Sequence, residues 1–262
     1  MNNQNNSMLL LAAVGAGLTF TSWLDRRVQR YDFRDKTVLI TGGSRGLGFV
    51  RASEFRAGAK VAICARDQVA LTRARAKLNA QGNEVVTVPC DLTNPECVTD
   101  VVRAVNRRCG PIDVLVNNPG TITVGPMEVM TLADYEEAMN LHFWAPLRMT
   151  LAILPDMRQR GEGRIVNIAS VGGRLSVPHL LPYSASKFAL VGLSEGLRSE
   201  LAKDGVLVTT VSPGLMRTGS PRNASFKGRH RDEYAWFSLG DSLPGLSISA
   251  ERAARQKCHA AR

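Results

Sequence analysis

Tyr183 and Lys187, in the run Tyr183-Ser184-Ala185-Ser186-Lys187, share one face of any helix that carries them. A phenol ordinarily titrates at about 10 and is a weak acid-base group at neutral pH. An ammonium held beside it stabilises the phenolate and draws that value down. A serine hydroxyl arriving from another element, as Ser170 would, can hold a carbonyl or alcohol oxygen against the phenol. Far upstream, Thr41-Gly42-Gly43-Ser44-Arg45-Gly46-Leu47-Gly48 has the composition of a tight turn that opens a helix. Glycines at 42, 46 and 48 let backbone N–H groups approach a pyrophosphate at that helix N-terminus. A proton-handling pair beside a bound dinucleotide points to redox chemistry at a carbonyl or alcohol.

These residues need elements to position them. Six short apolar runs rich in β-branched residues recur at Thr37–Thr41, Lys60–Cys64, Glu84–Val88, Val114–Asn117, Arg164–Ile168 and Val206–Val211. Each is nearly continuous rather than alternating, as in parallel strands covered on both faces. Helix-length segments lie between them: Gly46–Ala57, Val69–Gln81, Pro95–Cys109, Thr131–Arg160 with interruptions at Pro146 and Pro155, and Tyr183–Lys203. Such alternation predicts right-handed crossovers and one α/β domain, a doubly wound parallel sheet or Rossmann fold. Thr41 then ends the first strand, and Ser170 follows the fifth at the carboxyl edge, where open α/β sheets bind ligands.

The second strand discriminates between dinucleotides. NAD sites place a carboxylate after it for the ribose hydroxyls. Ala65-Arg66 stands there instead, with Arg45 in the glycine turn. Two guanidinium groups favour a 2′-phosphate and therefore NADP over NAD. Asp67, one step on, has an alternative role as a helix N-cap.

Together, in this order and spacing, the glycine turn and Ser170…Tyr183-x-x-x-Lys187 resemble the short-chain dehydrogenase/reductase family over roughly Asp35 to Thr218. The resemblance implies strand order 3-2-1-4-5-6 followed by a seventh edge strand. It gives Ser170 the substrate oxygen, Tyr183 the proton transfer, and Lys187 the ribose hydroxyls and the phenol's acidity. Lowering a phenol to about 7 requires roughly 4 kcal/mol, for which lysine and an oxidised nicotinamide are the sources. Asn140 in Met139-Asn140-Leu141 matches an asparagine that supports a water-linked proton relay. Asp91 and Leu92, after Cys90, would contact the adenine. Asn117-Asn118-Pro119-Gly120 matches the family's N-N-A-G except that Pro119 replaces alanine, which removes an N–H and restricts Asn118. Asn117 would anchor the fourth strand and the adenosine side, and Gly120 would line the site. Pro213, Gly214 and Thr218 match a nicotinamide clasp, while Gly219–Leu246 resembles a substrate lid. The segment from Arg174 to Leu181 should form the opposite wall. His179 reads there as a satisfied wall residue, and the mainly apolar walls favour a hydrophobic alcohol or ketone. Homodimers or tetramers are implied by analogy.

The 262 residues carry a formal net charge of +10. No basic run has interleaved aromatics, so phosphate binding explains the charge better than nucleic acid does. Cys64, Cys90, Cys97, Cys109 and Cys258 form no C-x-x-C pair, which reads as a reduced intracellular chain without a metal site. Residues 1–34 form an apolar leader, largely Met8–Leu24, followed by Arg26, Arg27 and Arg30. Two readings stand for it: a peripheral leader, or an anchor that keeps the catalytic domain, residues 35–262, on the cytoplasmic side. The sequence reaches Arg262 inside what reads as a helix, Ala250–Arg262, so the expectation is a C-terminally short domain lacking the seventh strand. Gly42–Gly46 and Gly192–Gly196 also spell G-x-S-x-G, but Ser194 lies within a helix, and Ser44, although it stands between strand and helix, sits in the dinucleotide turn after the first strand rather than in a hydrolase elbow. The remaining rival is an NADP-binding scaffold, or a truncated inactive homologue.

Overall fold

The six apolar runs become parallel strands: β1 Thr37–Thr41, β2 Lys60–Ala65, β3 Val85–Pro89, β4 Ile112–Asn117, β5 Gly163–Ile168 and β6 Val206–Val211. They lie in the order β3-β2-β1-β4-β5-β6, every neighbouring pair parallel. This computed structural model describes residues 31–55, 58–82, 84–214, 216–217, 224–242 and 248–249. Residues 1–30 of the leader, the Ala250–Arg262 segment, Thr218 and Cys258 lie outside the described residues. Among those described, the sheet ends at β6, where Leu207 is exposed, and no helix is long and apolar enough to cross a membrane.

The helices are α1 Gly46–Glu54, α2 Gln68–Asn79, α3 Pro95–Cys109, α4 Leu132–Met139, α5 Ala145–Arg160, α6 Leu181–Leu201 and α7 His230–Ser242. Local chemistry fixes several starts. Asp67 Oδ1 accepts from Val69 and Ala70 N–H groups at 2.9 and 3.0 Å to cap α2, and Asn94 accepts from Glu96 ahead of Pro95 in α3. Every residue of β1 and β4 is buried. One face of the sheet packs through Leu39, Ala62 and Leu115 on α3 and α5 residues such as Val101, Val105, Met149 and Met157. At the other face, α6 buries Leu190 and Val191 against Ala169.

The long helical segment differs from its expected form. Pro155 sits within α5 without breaking it, and Pro146 falls in the first turn of α5. The interruption lies earlier, in a π turn over Asn140–Trp144, where the Ala145 N–H reaches the Asn140 carbonyl. That five-residue step widens the backbone just where the Pro146 ring would otherwise press on the preceding turn. Tyr183 likewise sits inside the first turn of α6, because the helix starts at Leu181 with Pro182 at its N-terminus.

Candidate active site

Strand order reverses between β1 and β4, and the crevice outside their carboxyl ends holds a cavity of about 750 Å³. Gly42, Ser44, Arg45, Gly46 and Leu47 line it from the β1–α1 turn, Arg66 from the end of β2, and Asp91 and Leu92 from beyond β3. Gly120 joins them after β4, Ser170 after β5, Tyr183 and Lys187 from α6, and Pro213 and Gly214 after β6. Gly48 lies behind the turn rather than on the cavity wall. A Cβ there would come within 2.4 Å of the Gly42 carbonyl oxygen, so glycine permits the turn to close on its own helix.

Two expected residues are not brought to the wall. Asn117 is buried between strands, its Nδ2 donating to Asn167 Oδ1 at 2.9 Å. Asn167 passes the link to Ser194 of α6 at 2.8 Å, so this chain of amides clamps sheet to helix. The cavity instead meets Asn118, whose backbone N–H donates to Thr41 Oγ1 at 3.0 Å and whose Nδ2 donates to the Gly42 carbonyl at 3.3 Å. Asn140 opens the π turn, but the residue of that turn on the wall is Leu141.

At the chemical end, the Gly172 N–H donates to Ser170 Oγ at 3.0 Å, and the Ser170 hydroxyl bonds the Tyr183 phenol. The turn carrying Ser170 is pressed on α6, since a Cβ on Gly173 would come within 2.7 Å of the Lys187 carbonyl oxygen. The Val171 N–H also donates to the Pro213 carbonyl at 2.8 Å, fastening this turn to the loop after β6. Lys187 Nζ donates to the Ile168 carbonyl at 3.0 Å and lies 5.9 Å from the Tyr183 ring centroid.

The electrostatics depart from the expectation that lysine lowers the phenol. Burial raises Tyr183, and the Ser170 hydrogen bond opposes that rise only in part. Burial also brings Lys187 from 10.5 down to about 7. Both groups lose hydration, and the ammonium faces a backbone carbonyl rather than the phenolic oxygen, so desolvation outweighs attraction.

At the opposite end stand Arg45, Arg66, Asp67 and Asp91. Asp67 is held below the usual carboxylate range, first by the Ala70 N–H, with Val69 and the charges of Arg45 and Arg73 adding to it. Its oxygen is therefore engaged as a cap. Asp91 Oδ1 accepts from the Thr93 N–H at 3.0 Å and hydroxyl at 2.8 Å.

The wall beyond Tyr183 is apolar. Val124, Leu180 and Phe237 form a buried cluster with Ile122, Val177, Tyr183 and Phe226. The lid region enters through two devices that the sequence did not reveal. Ser225–Phe226 pairs in parallel with Thr123–Val124, and Glu233 of α7 places both oxygens 2.8 Å from His179 Nδ1. Sequence reasoning also missed His142, a buried residue of the π turn. A lone histidine within a helical pattern gives no sign of the side it faces.

The profile of the family described as short chain dehydrogenase matches residues 36–227. A dehydrogenase/reductase SDR family protein 7-like of Anopheles gambiae is 37% identical over 223 residues, covering 82% of this chain and 70% of that protein. Gluconate 5-dehydrogenase of Gluconobacter oxydans is 34% identical, covering 69% of this chain and 71% of its own length. The ketoacyl reductase HetN of a Nostoc strain is 37% identical, over 69% of this chain and 63% of that one. Among solved structures, a short-chain dehydrogenase from Streptomyces avermitilis superposes with a TM-score of 0.74 at 36% identity, covering 84% of this chain and 81% of that one. A short-chain dehydrogenase/reductase from Burkholderia phymatum in complex with NAD gives 0.79 at 26% identity, over 86% and 85% of the two chains. The chain belongs to the short-chain dehydrogenase/reductase family, a family of oxidoreductases built on this sheet.

Proposed function

We propose that the domain, residues 35–262, is an NADP-dependent oxidoreductase that interconverts a carbonyl and an alcohol through Ser170, Tyr183 and Lys187. The observation that carries this reading is one continuous cavity with those three side chains at one end and Arg45 and Arg66 at the other. The donor set fits a phosphorylated dinucleotide: a glycine turn open to close backbone approach, two guanidinium groups, and a carboxylate already used as a helix cap. When bound, NADP supplies or accepts the hydride at the substrate's carbonyl carbon.

The chain's own residues handle the proton. In reduction, Tyr183 gives its phenolic proton to the substrate oxygen; in oxidation, it takes that proton back. A phenol raised by burial is protonated at neutral pH, which suits the donor role. Ser170 holds the substrate oxygen beside the phenol, with one of its two lone pairs accepting from the Gly172 N–H. Lys187, brought to about 7, keeps a readily titrating amine near the phenolate that forms. The apolar wall of Ile122, Val177, Leu180 and Phe237 suits an uncharged ketone with a hydrophobic body. The ketoacyl reductase among the relatives adds keto esters to the compounds to try.

The test is steady-state consumption of NADPH and of NADH against apolar ketones, keto esters and a charged oxo acid. The expected result is turnover of an apolar carbonyl with a lower KM for NADPH than for NADH. A lower KM for NADH would refute the cofactor choice. NADPH binding without turnover of any carbonyl would favour a scaffold.

A further inference from the structure

His142 is buried in the π turn, and its hydrogen bonds lead towards the reactive end of the cavity. The backbone N–H of Thr121, a wall residue, donates to Nε2 at 3.3 Å. Nδ1 lies 2.8 Å from Ser186 Oγ, and the Ser186 hydroxyl donates to the Tyr183 carbonyl at 2.8 Å. These partners fix one tautomer. An N–H can only donate, so Nε2 is the acceptor, and a Ser186 proton spent on Tyr183 requires Nδ1 to carry the ring hydrogen. The imidazole also meets the Tyr183 ring edge to face, centroids 5.4 Å apart at 85°. Burial, then the neighbouring Lys187 charge, push His142 well below its ordinary value, so the neutral ring this pattern needs persists at physiological pH.

We propose that His142 is a positioning residue for Tyr183: its Nδ1–H, relayed through Ser186 to the Tyr183 carbonyl, fixes the first turn of α6, while its Nε2 ties that turn to Thr121. This rests on the function proposed above, in which Tyr183 moves the proton. A histidine kept neutral beside a cation gains nothing from its polarity as mere filling, since an apolar ring would occupy the volume without the desolvation cost. What its polar atoms add is direction, and a phenol displaced by about 1 Å can lose on the order of a hundredfold in rate.

The experiment compares three variants of the full chain in NADPH-dependent ketone reduction, with NADPH affinity and melting temperature measured alongside. His142→Phe keeps the ring but loses both bonds. His142→Asn can replace the Nδ1–H donor, and His142→Gln the Nε2 acceptor. The expected result is a kcat about 10- to 100-fold lower in His142→Phe with NADPH affinity unchanged. His142→Asn should recover most of that loss and His142→Gln little. The inference is overturned if His142→Phe keeps its kcat, or if its NADPH affinity falls in step with kcat. If His142→Phe does not fold, equal kcat values in the Asn and Gln variants overturn it. A readout independent of turnover is the phenolate absorbance of Tyr183, taken as wild type minus Tyr183→Phe. Ser170 bonds the phenol, and Lys187 and His142 lie beside the Tyr183 ring. The phenol's titration, raised by burial, should shift in His142→Phe as the phenol moves relative to Ser170, and an unmoved titration contradicts the inference. A wild type that reduces no carbonyl, combined with a shifted phenol, would sink the oxidoreductase reading and spare this one.

Discussion

At the scale of single residues, the account depends on which charge is held where. Arg66 lines the far end of the cavity, beside Asp67, whose Oδ1 is used to cap α2. Arg66→Ala should raise the KM for NADPH by about 10- to 100-fold, the equivalent of about 1.5–3 kcal/mol for a charge-assisted hydrogen bond, and leave that for NADH nearly unchanged. Paired kinetics with the two cofactors check it. Lys187 makes a prediction about stability. Its value falls from 10.5 to about 7 on folding, so between those limits the unfolded chain binds the extra proton. Stability therefore rises with pH through that window, and the cost of burying the amine is complete below it. Measured against Lys187→Met, wild type should gain unfolding free energy from pH about 7 to about 10 and show a constant difference below 7. A difference independent of pH contradicts the shift. The convergence of Tyr183, Lys187 and Ser170 on one cavity was legible in their types and spacing. Asn117 was legible only as an asparagine at the end of a strand beside the crevice. In a strand buried on both faces no alternation tells which of Asn117 and Asn118 turns to the crevice.

At the scale of elements, the strands were read to within a residue or two because each is a β-branched run that the sheet buries whole. The π turn was not. Proline marks the helix it disturbs, but the relief appears several residues upstream, where the backbone has room to widen. The lid's fastening was equally hidden, since two-residue strands and a His–Glu contact leave no periodic signal. That contact carries a prediction. Glu233 joins α7 to the wall residue His179, and α7 contributes Phe237 to the apolar wall. Glu233→Ala should raise the KM for an apolar ketone about fivefold, from roughly 1 kcal/mol of lost hydrogen bonding, while NADPH affinity holds. Steady-state kinetics together with a cofactor titration separate the two effects.

For the whole molecule, chemistry and stability occupy opposite ends of the strands. Ser170, Pro213 and the glycine turn follow carboxyl ends. Near the amino ends, Asp113 accepts from the Thr37 N–H at 2.8 Å and from Arg160 at 2.8 Å, and Arg160 also donates to the Ile112 carbonyl at 2.8 Å. Asp113→Ala leaves a largely buried N–H and a guanidinium short of a partner. It should cost about 2 kcal/mol, or roughly 4–8 °C in melting temperature, with NADPH affinity unchanged. A parallel loss of affinity would contradict the separation. This polarity was implicit in the alternating pattern, because strands that all run parallel bring every loop that follows a strand to one edge. The central claim, that the Tyr183 phenol transfers the proton while the rest of the cavity holds the dinucleotide, is tested most directly by one single-turnover experiment. NADPH loss is followed after mixing an apolar ketone with wild type and with Tyr183→Phe, each already loaded with NADPH. The account predicts rapid loss in wild type and none in the variant at equal NADPH occupancy. Loss at the wild-type rate in Tyr183→Phe would contradict it.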